Sequence, residues 1–222
     1  MSKRVLGVIG GMGPLASARF CEILSIMQSN EPEQAHVEVI MHSKPSIPDR
    51  TAFILGRSEK SPLPEIIEVG KSLIRAGAEV IALPCVTAHY FYDEIAAALN
   101  AKVINIVDET ASRFAGKGRV GLLCTEGTIA GGFLQAKFEN AVTLPKELQH
   151  QLSGMIYNYL KRGKPADAVI MLRLINFFKS EGAAEIVLAC TELSLAKRDL
   201  RLGEGFTDML EILAEASLRE CR

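Results

Sequence analysis

Apolar residues follow two rhythms along this chain. Short apolar-rich runs at Val5–Ile9, His36–Met41, Val80–Leu83 and Val103–Val107 predict strands in the first half. Arg119–Leu123, Ala141–Leu144 and Glu185–Ala189 predict strands in the second. Between the first two runs, Leu15, Phe20, Ile23, Leu24 and Met27 recur at helical spacing. That helix follows a Gly10–Pro14 turn, and Pro14 suits a first helical position, where no N–H is needed. Further helices are predicted over Pro64–Ala76, stopped by Gly77, over Tyr90–Leu99 and from Asp108. The second half predicts a helix after the Thr125–Thr128 turn, then helices over Pro145–Leu160, Pro165–Ser180 and Asp208–Glu220. Ser43–Thr51, with Pro45 and Pro48, reads as a loop.

The order repeats. Each half opens with strand, turn and helix, and later carries a strand that ends in a cysteine, Cys85 or Cys190. Alternating strands and helices predict an α/β fold with parallel sheets and crossover helices. The chain therefore reads as two similar α/β half-domains related by pseudo-twofold symmetry, with the active site in the cleft between them. Residues 1–100 and about 208–222 are assigned to the first domain, and about 101–207 to the second. Ligands of such sheets bind beyond the carboxyl ends of the strands, where both cysteines fall.

Composition narrows the function. The 222 residues carry 25 Lys plus Arg against 26 Asp plus Glu and no Trp. No basic stripe or base-stacking pattern supports nucleic-acid binding. The uncharged stretch Val80–Tyr92 is too short to span a membrane and holds Pro84 and His89. The glycine-rich N-terminal run suits a strand-to-helix loop rather than a signal core, so the cytoplasm is the expected compartment. Five cysteines without close spacing predict reduced thiols rather than a disulfide scaffold. Cys21, Cys124 and Cys221 read as small buried residues. Cys85 and His89 lack a second nearby pair, which is poor spacing for zinc. The Gly7–Gly13 run misses the spacing of a dinucleotide fingerprint, and its glycines are expected to let backbone N–H groups approach a small carboxylate.

The motifs add chemistry. Pro84-Cys85-Val86-Thr87-Ala88-His89 and Cys190-Thr191-Glu192, with Ile9–Pro14, Asp49-Arg50-Thr51 and Thr125–Ile129, resemble the aspartate/glutamate racemase family. The resemblance runs from about residue 5 to 195. It implies a pyridoxal-phosphate-independent amino-acid racemase that needs no metal or nucleotide cofactor, with a small-molecule amino-acid substrate and, by analogy alone, a homodimer. It implies Cys85 and Cys190 as the catalytic pair, one thiolate and one thiol, on opposite faces of the substrate's Cα. It also implies a substrate site containing Met12, Arg50, Val86, Thr87, Thr128, Thr191 and Glu192. Arg50 would pair with a side-chain carboxylate, and one of Lys161, Arg162 and Lys164 would supply a second cation. His89 is either a tuner of Cys85 or a half-buried structural histidine.

Three positions depart from the family pattern. Val86 stands in place of Asn, Gly131 in place of Ser and Leu134 in place of Tyr. Each removes a polar group, which predicts a less polar site and a substrate range wider than aspartate. Two other readings stay open. One is a related isomerase of the hydantoin racemase or maleate isomerase type, and the other is a non-catalytic small-acid binding protein.

Overall fold

The protein is described by a computed structural model covering residues 3–222. Its first sheet holds β1 (Leu6–Gly10), β2 (Val39–Ser43), β3 (Val80–Ala82) and β4 (Lys102–Val103) in the order β2-β1-β3-β4. The second holds β5 (Val120–Leu123), β6 (Ala141–Val142), β7 (Glu185–Leu188) and β8 (Phe206–Asp208) in the equivalent order β6-β5-β7-β8. Every pairing is parallel. The predicted class, two parallel sheets flanked by helices, is therefore present.

The helices are α1 (Pro14–Met27), α2 (Arg50–Ile54), α3 (Leu63–Arg75), α4 (Tyr92–Ala98), α5 (Ile106–Ser112), α6 (Glu126–Gly131), α7 (Lys146–Asn158), α8 (Ala168–Ser180), α9 (Leu193–Leu200) and α10 (Met209–Cys221). Among the described residues, none is long and apolar enough to cross a membrane.

Several boundaries differ from expectation for identifiable reasons. The Val103–Val107 run looks like a strand, yet the Asn105 side chain accepts from the N–H of Val107 and of Asp108 and starts α5 at Ile106. A capping side chain overrides a β-branched run there. The supposed Ser43–Thr51 loop contains the start of α2, because Asp49 caps it through the N–H of Ala52 at 2.8 Å. β2 begins at Val39 rather than His36, and the Gln28 side chain holds Val37 just ahead of it. The Tyr90–Leu99 helix is α4, preceded by a tighter 3₁₀ segment over Val86–Phe91. α9 and β8 have no counterpart among the predicted elements. β8 follows Gly205, whose φ of 83° a side chain would strain.

α10 lies between the two sheets. It packs against α1, α5 and β3. Its Leu213 shares one buried cluster with Val8 and Ala82 of the first sheet and with Leu122 and Val187 of the second. Two satellite cores fill the outer layers, one around Ile66, Ile81 and Ile95, the other around Leu152, Leu174 and Phe178. Asp208 caps α10 through the N–H of Leu210 at 2.8 Å, and burial pushes its carboxyl up to about 6.

Candidate active site

The two sheets bring their carboxyl ends to one cavity. β3 runs through Leu83 and Pro84 into Cys85, and β7 runs through Ala189 into Cys190. β3 and β7 hold the same place in their respective sheets. Both cysteines line the cavity, and all five cysteines of the chain are free.

The halves are tied together around this space. Thr191 donates its hydroxyl to the Pro84 carbonyl at 3.2 Å. The hydroxyls of Thr87, Thr125 and Thr128 form a triangle with sides of 2.9, 3.0 and 3.1 Å. Thr87 comes from the segment after β3, and the other two from the turn after β5. Thr87 and Thr125 reach the cavity, while Thr128 stands behind them as a support. Arg57 and Glu126 form an exposed ion pair across the same seam at 3.2 Å.

Arg50 begins α2 and is buried, with 6% of its surface exposed. Its guanidinium donates to the carbonyls of Met12 at 2.7 Å, Pro48 at 3.0 Å and Ile47 at 3.4 Å. Its Nε is left without a partner. Burial alone would lower the Arg50 pKa. The neighbouring Cys85, Asp49 and Glu192 outweigh it, and the pKa is raised.

Cys190 has different surroundings. Its thiol donates to Glu192 Oε2 at 3.1 Å. Burial first, then the Glu192 charge and hydrogen bond, push this thiol well above its ordinary value, and Lys161 pulls the other way. Glu192 Oε1 has no partner although the residue is 3% exposed.

Lys161 is the member of the basic cluster that reaches the cavity, and Arg162 and Lys164 are exposed. Its ammonium sits 4.3 Å from the centre of the Tyr157 ring and 3.9 Å from Asp49 Oδ2. Burial would lower its pKa, but Glu192 and Tyr157 raise it more.

The cavity lining holds residues the motifs did not single out as ligands: Asp49, Thr51, Thr125 and Tyr157. Tyr157 lies in the last turn of α7 and Lys161 follows in a 3₁₀ turn over Leu160–Arg162, so no helical spacing in the sequence pointed to the pair.

Two expectations are corrected, and the open choice at His89 is decided. Leu134 is fully buried in the core, and Gly131 sits under Tyr90 and Phe133, so neither lines the cavity. The less polar site therefore rests on Val86 alone, which is buried and does line it. Gly11 in the first turn serves the protein itself rather than a ligand. Gly11 has φ 96°, and a Cβ there would meet the Lys44 backbone at 2.5 Å. Its N–H is already taken by Ser17 Oγ at 3.0 Å. His89 faces away from the thiol. The Ile106 N–H donates to its Nε2, and its Nδ1 pairs with the Cys85 carbonyl at 3.0 Å. Burial lowers its pKa and keeps the ring neutral, so it acts as a structural brace. Among the described residues, no three His, Cys, Asp or Glu side chains cluster closely enough to hold a metal.

These placements separate two kinds of substitution. Val86→Asn should change the ratio of aspartate to alanine turnover by about 2- to 10-fold, the worth of one neutral hydrogen bond. Leu134→Tyr should leave that ratio alone and cost about 1–3 kcal/mol of stability by overpacking. Steady-state kinetics on both substrates, with urea unfolding, checks the pair. A ratio that moves with Leu134→Tyr and not with Val86→Asn would overturn the assignment.

The cavity is small, with a volume of about 10 Å³. That is about the space one water needs. A ligand larger than water enters only when the side chains around it part.

Comparison with known proteins agrees with this architecture. The Asp/Glu/hydantoin racemase family model matches residues 9–216. The chain is 26% identical over 224 residues to the broad specificity amino-acid racemase RacX of Bacillus subtilis (strain 168), covering 96% of each. Its structure is similar to that of Picrophilus torridus aspartate racemase, with a TM-score of 0.84 at 28% identity, covering 98% of this chain and 94% of that one. An aspartate racemase homologue from Pyrococcus horikoshii OT3 gives a TM-score of 0.76 at 26% identity, covering 97% of this chain and 98% of that one. With a match over nearly its whole length, the chain belongs to the Asp/Glu/hydantoin racemase family and is an isomerase of the racemase class.

Proposed function

We propose that this racemase inverts the Cα of a small amino acid by moving a proton between Cys85 and Cys190. The observation that carries the reading is the presence of both thiols in one cavity, on equivalent strands of two equivalent sheets. Inversion needs a base on one face of Cα and an acid on the other. Burial and the Glu192 hydrogen bond favour a thiol at Cys190, and the Arg50 guanidinium stands beside Cys85. In one direction, the Cys85 thiolate takes the proton and the Cα–H electrons stay on Cα, delocalised into the carboxylate. The Cys190 S–H bond then breaks as its proton passes to the opposite face. The reverse direction exchanges the roles.

Arg50 and Lys161 give the cavity two cations, which suits an acidic side chain. Val86 removes a polar contact and suits a wider range, in keeping with the name carried by the Bacillus subtilis relative. The substrate class is therefore small amino acids, with aspartate and glutamate among them rather than alone.

The test is deuterium exchange at Cα in D₂O, across L- and D-amino acids and hydantoins, without added pyridoxal phosphate or metal. Exchange accompanied by loss of optical rotation on at least one amino acid is expected. Saturable binding with no exchange would make the protein a small-acid binder, and exchange on hydantoins alone would move it to the other branch of the family.

A further inference from the structure

Two residues that line the cavity each carry a buried polar atom without a hydrogen-bond partner: the donor Arg50 Nε and the acceptor Glu192 Oε1. A buried carboxylate oxygen with no partner costs more than an ordinary hydrogen bond returns, so it persists where a ligand completes it. The other acceptors around the cavity are engaged. Asp49 caps α2, meets the Tyr157 hydroxyl at 3.4 Å and faces Lys161. The threonine hydroxyls of the triangle satisfy one another, and Thr191 donates to Pro84.

From this pair we infer that Glu192 is the seat of the substrate's α-ammonium group, with the Arg50 guanidinium in the same cavity. The inference rests on the racemase reading and deepens it. A carboxylate oxygen and a guanidinium N–H that both lack partners, in one cavity, fit a ligand that brings a donor and an acceptor. A hydantoin offers no cation to Glu192, and a dicarboxylate without an amine sets a second negative charge against it. The carboxylate thus selects amino acids from the family's other chemistries. It performs two tasks at once, because Oε2 holds the Cys190 thiol while Oε1 holds the ammonium.

Gly13 supports the assignment from the other half of the molecule. Its φ of −111° is open to any residue, so backbone freedom does not require glycine there. A Cβ there would come within 3.0 Å of Glu192 Oε1, so any side chain at this position presses on that oxygen.

The experiment compares an amino acid with its amine-free analogue: aspartate with succinate, and alanine with propionate, as competitive ligands of the full-length protein. Glu192→Gln keeps the shape and removes the charge. It should weaken the amino acid relative to its analogue by about 10- to 150-fold, the worth of a charged hydrogen bond. Gly13→Ala keeps the charge and displaces the oxygen, and it should shift the same ratio in the same direction by a smaller factor. It also keeps the test available if Glu192→Gln does not fold. Equal weakening of both ligands, or an unchanged ratio in the variant that folds, overturns the ammonium role. In that case, Cα exchange by the wild-type protein leaves the racemase reading standing. Exchange on hydantoins with none on any amino acid overturns both.

Discussion

Replacing either Cys85 or Cys190 with serine should lower racemisation in both directions by about 10²–10⁴-fold, the range that a positioned acid or base contributes. A hydroxyl is a far weaker acid than a thiol, and neither variant retains a proton carrier of matched strength on both faces of Cα. The single variants should still differ from each other. The cysteine that remains can take a deuteron or a proton on its own face, so each variant exchanges one enantiomer in D₂O without inverting it. Cys85→Ser leaves the thiol bound to Glu192, whereas Cys190→Ser leaves the thiol beside Arg50. The enantiomer that exchanges should therefore be opposite in the two variants. Chiral chromatography with mass detection reads both quantities. Wild-type turnover in either variant, or exchange of the same enantiomer in both, would end the two-base mechanism.

Arg50→Ala should have the second-largest effect, on stability as well as activity. The guanidinium ties the α2 entry loop to the turn after β1 through the carbonyls of Met12, Pro48 and Ile47. Alanine strands those carbonyls, and each buried unsatisfied group costs about 1–3 kcal/mol. A loss of about 2–5 kcal/mol in urea unfolding is expected on that basis. If the same guanidinium also meets a substrate's side-chain carboxylate, turnover of aspartate falls further than that of alanine under conditions where the variant stays folded. Unchanged stability would contradict the anchoring role. An equal fall on both substrates would confine Arg50 to anchoring. Arg50→Lys separates charge from shape, since an ammonium cannot reproduce the fork that spans three carbonyls.

The features legible in the sequence were those set by short-range rules. Two strand-to-cysteine endings, at Ala82–Cys85 and Leu188–Cys190, stood out because strand periodicity and chain direction are local properties. Asp208 and Gly77 marked a helix start and a helix stop for the same reason. Elsewhere a local side-chain bond decided against the apparent pattern, as with Asn105 and Asp49, whose caps begin helices inside a β-branched run and a proline-bounded loop. Leu134 and Gly131 were misplaced because a motif gives chain order and not depth. Only the packing of Phe133 and Tyr90 over Gly131 shows that this stretch turns away from the cavity. Tyr157 and Lys161 lie far along the chain from either cysteine. Their proximity to the cavity depends on how α7 docks, which no window of sequence carries.

The helix between the sheets has a consequence for how the protein comes into being. α10 is the last element formed in chain order, yet its Leu213 belongs to the buried cluster that both sheets share. Until it docks, the inner faces around Val8 and Ala82, and around Leu122 and Val187, lack their common filling. Neither half can reach its full stability during synthesis while the other waits. Each half has an outer core of its own, but the inner core is shared, and the two thiols are held at one cavity by halves joined through it. Evolutionary change in one sheet is then felt by the other through a helix that touches no substrate.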